Sequence, residues 1–357
     1  MNKRSKGRGS DLNVPNPYLA IHQEPDADFL NAQLDDPDFA GAVQTEFQND
    51  SASSIVSENQ SPDIPFRYSL NPYRGCEHGC SYCYARPTHE YYGLNAALDF
   101  ESQIFVKHNA AGLLRDFLNR PGYQPEPIVF SGVTDCYQPA ERKFELTRRC
   151  LEVALEARQP VSIITKNSLV LRDVDLLREL AQDNLCRVSL SITTLDAKLA
   201  RDLEPRTSPP VARLRTIAEL SQAGVPAHAM LAPMIPGLTD SEIPAILEQA
   251  AIAGAQSAGF LMLRLPRTVL PVFVDWLHKR RPEKAALVES RLRSIRDGEL
   301  NSSTFGERMR GTGPIADQIK QVFAVFAKKF SLQSKPAPLN CDLFRPPTSS
   351  TGQQTLF

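Results

Sequence analysis

The most constraining feature of this sequence is a loop in which Cys76, Cys80 and Cys83 follow one another in the pattern C-x3-C-x2-C. Thiolates select zinc, cuprous copper or iron–sulfur clusters. A closed zinc site or an ordinary cubane needs four protein ligands, and this loop supplies three thiols. The spacing therefore predicts a [4Fe–4S] cluster in which the protein holds three irons and the fourth iron accepts another ligand.

The alternative is a structural zinc loop in which a histidine completes the ligand set. His78 lies inside the loop, where it is too close to the neighbouring cysteines to complete a tetrahedron easily, and His89 is the next candidate. Zinc loops usually combine two separated C-x2-C pairs. We therefore predict the cluster and keep a zinc-stabilised, non-enzymatic binding module as the competing hypothesis.

Composition limits the class of protein. The 357 residues, 42% of them hydrophobic, suffice for one large α/β domain with a sizeable core. Seven cysteines, no signal peptide and no apolar run of membrane-spanning length predict a cytoplasmic protein without disulfides and without a membrane partner. The net charge of −1 by itself favours neither nucleic acid nor a membrane as partner.

The two ends of the chain are predicted to be loose. Residues 1–64 are rich in Asn, Asp, Gln, Ser and Pro and lack clear periodicity, so we expect disorder there. Residues 332–357 are rich in Pro, Ser, Thr and Gln and are predicted to be a flexible tail. The extreme N-terminus carries a basic tip that either binds phosphates or is solvated, formed by Lys3, Arg4, Lys6 and Arg8.

Strand and helix patterns alternate from residue 65 onward. The predicted strands span residues 67–71, 128–131, 161–165, 187–192, 227–231 and 258–263. The predicted helices span residues 110–120, 139–158, 174–182, 210–223 and 241–253. Such an order predicts a parallel sheet with right-handed crossovers and ligand-binding loops at the carboxyl ends of the strands. Spacing alone does not separate an open barrel from a doubly wound sheet.

The cysteine loop resembles that of the radical SAM enzymes, and an ordered set of later segments resembles the spore photoproduct lyase-like members of that superfamily. These segments are Cys76 to Tyr84, Thr134-Asp135, Thr165-Lys166, residues 189–193, residues 204–208 and residues 232–235. Over residues 65–265 the resemblance implies a partial (β/α)6 barrel. It also implies a [4Fe–4S] cluster, S-adenosylmethionine cleaved to a 5′-deoxyadenosyl radical, and a flavodoxin- or ferredoxin-like electron donor.

S-adenosylmethionine is a zwitterion, and each of its poles needs a complement. Lys166 is predicted to pair with the methionyl carboxylate. Thr134 and Asp135 are candidates to accept from the ammonium group, and an aspartate that caps the next helix is the alternative. Ser191 and Thr193 project from one side of a strand and could reach the ribose. Arg206 is a further candidate to contact the carboxylate or the substrate, and a surface arginine is the alternative.

One position departs from the lyase pattern. The spore lyase has a hydrogen-donating cysteine just before the aspartate, and Gly132 stands there in this chain. Cys136 follows Asp135 instead and becomes the candidate hydrogen donor, with a buried spectator thiol as the alternative.

Residues 266–331 are predicted to form a small, basic, helical C-terminal extension. Lys and Arg outnumber acids there, with Phe273, Trp276 and His278 interleaved, a pattern that indicates either a nucleic-acid surface or ordinary amphipathic helices. The last five residues, Gln353–Phe357, resemble peptides that dock bacterial sliding clamps. We therefore predict a lyase-like reaction on nucleic acid. Radical modification of a protein or a small molecule is the alternative.

Overall fold

The computed structural model describes residues 7–12, 14–19 and 44–348. Its strands are β1 Glu46–Asn49, β2 Val56–Glu58, β3 Tyr68–Leu70, β4 Tyr73–Arg74, β5 Gln103–Val106, β6 Ile128–Phe130, β7 Val161–Thr165, β8 Cys186–Ser191, β9 Ala227–Met234 and β10 Ser257–Met262. Its α-helices are α1 Leu98–Ser102, α2 Ala110–Leu118, α3 Glu141–Phe144, α4 Leu146–Ala157, α5 Val174–Gln182, α6 Ala197–Leu203, α7 Pro210–Gln222, α8 Ile243–Ile252, α9 Val269–Arg280, α10 Pro282–Ser294 and α11 Gly313–Lys329.

The main sheet has seven strands in the order β10-β9-β8-β7-β6-β3-β2. Six of these strands are parallel, namely β3, β6, β7, β8, β9 and β10. Strand β2 pairs antiparallel with β3 at one edge. Strand β6, in the interior of the sheet, is buried along its whole length, as expected for a parallel sheet covered by helices. The predicted partial (β/α)6 barrel is confirmed.

The helix predicted over residues 139–158 is divided in two. Glu145 adopts a left-handed conformation with φ of 51°, which ends α3 and begins α4. The Glu141 carboxylate accepts a hydrogen bond of 3.0 Å from the Thr147 N–H in the first turn of α4. A side chain thus satisfies a backbone donor that the start of a helix leaves without an intrahelical partner.

The structure differs from the predicted disorder in the part of residues 1–64 that it describes. Strand β1 pairs in parallel with β5 in a second sheet of order β1-β5-β4, and β2 joins the main sheet. The partner of β1 is distant in the chain and the partner of β2 is a short strand. The local sequence therefore shows little periodicity to detect. The small sheet lies against the start of the cysteine loop, which follows β4.

Part of the predicted C-terminal tail is attached to the body. Gln333 forms a parallel bridge with Ser257 at the outer edge of β10. Farther along, the Arg345 N–H donates to the Ala157 carbonyl over 2.9 Å. Residues 332–348 therefore follow the surface of the domain, and Gln353–Phe357 lie outside the described residues.

Three helices, α9, α10 and α11, follow residue 266. Helix α11 packs against α8 of the barrel. Within the described residues, the structure has no helix with the length and apolarity needed to cross a membrane.

Candidate functional site

The three loop cysteines lie at the carboxyl end of the sheet in two successive turns. The Gly79 N–H donates to the Cys76 carbonyl over 3.2 Å, and the Cys83 N–H donates to the Cys80 carbonyl over 3.3 Å. Gly79 has a φ of 63°, a left-handed conformation that glycine adopts without steric cost. Cys76 and Cys80 are buried and Cys83 is half-buried, so the thiols share one enclosed region.

The donor set fits an iron–sulfur cluster. Burial raises the pKa of the Cys76, Cys80 and Cys83 thiols, so the positive charge of bound iron is what would hold these sulfurs as thiolates. No group of three or more His, Cys, Asp or Glu side chains in the described part of the chain is arranged to hold a single metal ion. In a cubane each cysteine binds a different iron, so its ligands need not converge on one point.

His78, the first histidine considered as a zinc ligand, is engaged at both ring nitrogens. Its Nδ1 lies 3.5 Å from Asp135 Oδ2, and its Nε2 lies 3.2 Å from Asn167 Nδ2. Burial lowers the pKa of His78, which favours the neutral ring. His78 therefore joins the cysteine loop to the ends of β6 and β7.

A buried arginine that sequence reasoning missed organises the same loop. Arg86 donates from Nε to the Cys80 carbonyl over 3.0 Å and from Nη2 to the Gly79 carbonyl over 3.2 Å. It also forms a 3.0 Å ion pair with Glu101, and both side chains have no exposed surface. Charged residues are rarely buried in full, so an arginine in a sequence gives no signal of this role.

Asp135 acts as a connector at the ends of two neighbouring strands. Its Oδ1 accepts from Thr165 Oγ1 over 2.8 Å, and its Oδ2 accepts from the Lys166 N–H over 2.8 Å. The adjacent Thr134 hydroxyl donates to the Tyr73 carbonyl over 3.1 Å. Both predicted ammonium acceptors therefore also fix the conformation of the loop after β6.

Lys166 lies beside a buried carboxylate. Its Nζ donates to the Ala232 carbonyl over 3.0 Å and lies 3.7 Å from Glu204 Oε1. Burial alone would raise the pKa of Glu204, but Arg213 and Lys166 outweigh it and lower that pKa to about 2. Arg213 forms an ion pair with the second oxygen of Glu204. The Glu204 carboxylate thus faces two cations, Arg213 and Lys166.

The other predicted cofactor contacts lie around the same edge of the sheet. Thr193 Oγ1 donates a hydrogen bond to Glu204 Oε1 over 2.6 Å, and the Tyr82 hydroxyl donates a second hydrogen bond to the same oxygen. Ser191 is buried at the end of β8. Arg206 Nη1 donates to Glu77 Oε1 over 2.6 Å, so it contacts the cysteine loop. The structure therefore gathers these residues at one edge, and their roles toward the cofactor stay predictions.

Cys136 lies in the hydrophobic core and has no exposed surface. Its N–H donates to Ser131 Oγ over 3.1 Å, and its carbonyl accepts from Thr147 Oγ1 over 2.7 Å. Burial raises the pKa of the thiol. This environment is the one expected for a spectator thiol, and the role of Cys136 as a hydrogen donor stays a prediction.

The aromatic rings that the sequence interleaves with the basic residues 273–281 do not lie beside them on the surface. Phe273 and Trp276 are buried, so they do not form an exposed stacking surface. Several of the basic side chains are neutralised within the protein, in the pairs Arg281–Asp202, Arg291–Asp240 and Lys279–Asp275. These features are those of amphipathic helices.

Positive charge instead collects where β10 ends. The Arg264 guanidinium lies 5.8 Å from the centre of the half-exposed Tyr84 ring, next to Cys83. Arg308 forms an ion pair with Asp63, in which Nε lies 2.6 Å from Oδ2. Burial and Arg308 lower the pKa of Arg264, and burial and Arg264 lower that of Arg296 to about 10, as expected for neighbouring cations. The carboxyl end of the sheet therefore carries an arginine cluster beside the cysteine loop.

Comparison with known proteins places this site in a family. The family model of the Radical SAM superfamily matches residues 70–250. An uncharacterized protein of Mycobacterium tuberculosis (strain ATCC 25618 / H37Rv) is 36% identical over 292 residues, which are 81% of this chain and 82% of the relative. An uncharacterized protein of Methanocaldococcus jannaschii is 30% identical over 225 residues, 63% of this chain and 80% of that protein.

Two solved structures share the fold. A mutant of spore photoproduct lyase with dinucleoside spore photoproduct superposes with a TM-score of 0.58 at 15% identity, covering 81% of this chain and 80% of that one. A second mutant, with bound AdoMet and the same dinucleoside, gives a TM-score of 0.55 at 16% identity over 77% and 78% of the two chains. Together with the family match over half of its length and the cysteine loop, this likeness leads to one assignment: the chain belongs to the radical SAM superfamily.

Proposed function

We propose that this chain is an enzyme that carries out a lyase-like radical reaction on nucleic acid. Membership of the superfamily gives it a [4Fe–4S] cluster and S-adenosylmethionine as cofactors. When bound, this pair supplies hydrogen abstraction by a 5′-deoxyadenosyl radical, while the protein supplies binding and orientation. Cys76, Cys80 and Cys83 would hold the irons. A flavodoxin- or ferredoxin-like protein is the proposed electron donor.

Lys166 is proposed to bind the methionyl carboxylate, because it is the second of two cations beside the single carboxylate of Glu204. We expect Lys166→Ala to weaken S-adenosylmethionine binding by about tenfold to a hundredfold, since a charge-assisted hydrogen bond contributes roughly 1.5–3 kcal/mol. The dissociation constant of the reconstituted protein, measured by equilibrium dialysis with iron content as a check, tests this. Ser191→Ala should have a smaller effect.

The matched control for Lys166 is Lys198, an exposed lysine on α6. Lys198→Ala should leave the dissociation constant unchanged. An unchanged dissociation constant in Lys166→Ala, with the cluster intact, would show that the lysine is only part of the structural network around Glu204.

The arginine cluster is the observation that carries the proposal of a nucleic-acid substrate. Arg264, Arg296 and Arg308 have two acidic neighbours, Asp63 and Glu307, which leaves one excess positive charge beside the cysteine loop. Excess charge at the mouth of a site attracts polyanions, and an arginine next to an exposed aromatic ring suits a base and its phosphate. The two lyase structures compared above each hold a dinucleoside spore photoproduct, which supports the same class of substrate.

The test is the release of 5′-deoxyadenosine under anaerobic conditions in the presence of candidate substrates. Single-stranded DNA, duplex DNA and RNA form one set; acidic peptides and small anionic metabolites form the other. We expect stimulation by a nucleic acid that falls with rising salt. Deuterium that passes from the substrate into 5′-deoxyadenosine would show that the stimulating molecule is the one attacked.

Arg264→Ala should reduce the stimulation by nucleic acid about tenfold, while the slow release without substrate stays constant. The control is Arg293→Ala, because Arg293 is an exposed arginine on α10 that donates to the Gly298 carbonyl. Stimulation by peptides or metabolites alone would favour the alternative of protein or small-molecule modification and would remove nucleic acid as the substrate.

A further inference from the structure

The described N-terminal residues, which include Arg8 of the predicted basic tip, pack on the cysteine loop. The other three residues of that tip, Lys3, Arg4 and Lys6, lie outside the described residues. The Arg8 and Gly9 N–H groups donate to the Glu101 carboxylate over 2.5 Å and 3.2 Å. This is the carboxylate that pairs with Arg86, the residue that holds the carbonyls of Gly79 and Cys80. One buried charge therefore joins the N-terminal segment to the loop.

A second connection runs through side chains. Arg8 Nη2 donates to Thr45 Oγ1 over 2.6 Å, and Thr45 Oγ1 donates to Glu77 Oε1 over 2.7 Å. Glu77 directly follows the first loop cysteine, and its own N–H donates to Gln138 Oε1 over 2.9 Å. Arg8 thus contacts the start of the loop through a single bridging hydroxyl.

Gly9 lies directly on the backbone of the loop. A Cβ atom at this position would overlap the carbonyl oxygen of Gly79 and would lie 3.2 Å from the Ser81 nitrogen. Gly9 is not in the left-handed region of backbone conformation. Glycine is therefore required here for lack of space, and the obstacle is backbone, which cannot move aside as a flexible side chain can.

The segment continues across the next turns of the site. Asn16 Nδ2 donates to the Glu90 carbonyl over 2.9 Å, and the Tyr18 ring lies 5.3 Å from that of Tyr91. The Tyr18 hydroxyl accepts a hydrogen bond from Arg267, in the loop after β10. The described N-terminal residues thus connect the cysteine loop to the loop that follows the last strand of the barrel.

We propose that residues 8–12 and 14–18 form an N-terminal strap whose positioning residues, Arg8 and Gly9, hold the cysteine loop in the shape that retains its cluster. The strap orients Glu101 by hydrogen bonds from the Arg8 and Gly9 N–H groups, Glu101 orients Arg86, and Arg86 fixes the carbonyls of the loop. This inference concerns the loop alone and does not depend on which substrate the enzyme attacks.

Gly9→Ala in the full-length chain tests the strap. After anaerobic reconstitution we expect a loss of at least half of the iron and sulfide per chain and of the visible absorption band. Amide hydrogen exchange of the peptide that contains residues 76–86 should be faster in the apoprotein, whereas exchange of the β6–β9 peptides should not change. This pattern separates a loosened loop from general unfolding.

The control is Gly122→Ala. Gly122 has a φ of 73°, and a Cβ there would meet no atom within 4 Å, so alanine introduces backbone strain without overlap. Arg8→Gln is a second, milder variant that keeps the backbone contacts of Gly9, and its loss of cluster should be smaller than that of Gly9→Ala. The proposal is overturned if Gly9→Ala retains the full iron and sulfide content, or if it loses no more than Gly122→Ala.

Discussion

Alanine at Cys76, Cys80 or Cys83 is expected to abolish the iron–sulfur cluster or leave it labile, and with it the cleavage of S-adenosylmethionine. Each thiol would hold a different iron of a site-differentiated cluster, so the loss of one would remove a third of the protein ligands. The loop offers no fourth cysteine as a replacement. Iron and sulfide content, visible absorption and 5′-deoxyadenosine release after anaerobic reconstitution measure the effect.

Cys150→Ala is the control for these three variants. Cys150 is buried in α4 with no exposed surface, so the substitution removes a thiol of the same kind from the core of the same domain. We expect a small loss of stability and a full complement of about four irons per chain. Three loop variants that each kept their iron and cleaved the sulfonium normally would exclude the loop as the cluster site.

Arg86→Ala is expected to have the largest effect on the stability of the protein itself. It would leave the Glu101 carboxylate buried without its cationic partner, and breaking a buried ion pair in this way costs about 3–5 kcal/mol. The carbonyls of Gly79 and Cys80 would lose a donor at the same time. Urea unfolding of the apoprotein measures the free energy, so the result does not depend on cluster loading.

The matched control is Arg67→Ala. Arg67 also pairs with a glutamate, Glu58, at 2.6 Å, but both side chains are about half exposed. Such surface pairs contribute about 0–1 kcal/mol. Equal losses in the two variants would show that the Arg86–Glu101 pair does not support the loop.

The sequence predicted the sheet well because its strands are short apolar runs with clear boundaries. Residues 161–165 were predicted as a strand and form β7 with the same bounds. The position of Lys166 followed from topology, since the carboxyl ends of parallel strands share one edge. The reach of its side chain to Ala232 and Glu204 is a result of folding that no local pattern contains.

The ionic networks could not be predicted in the same way. Arg86, Glu101 and Arg213 are charged residues whose default place is the surface, and their burial depends on partners that are distant in the chain. Helix α6 did leave a signal, because Asp196 accepts from the Lys198 and Leu199 N–H groups as an N-cap. The only sequence signal of the N-terminal strap is a pair of glycines on either side of Arg8. This pattern is also common in segments without regular structure.

An open barrel, unlike a closed one, has two free strand edges that can pair with other chains. At one side the last parallel strand is covered by residues from the C-terminal region, since Gln333 bridges Ser257 and the Met262 N–H donates to the Met309 carbonyl over 3.0 Å. At the other side the outermost strand is β2, which is only three residues long. Short or covered edges are the means by which natural sheet proteins avoid edge-to-edge aggregation. Residues on both sides of α11, Met309 and Gln333, thus keep this edge of the sheet from pairing with other chains.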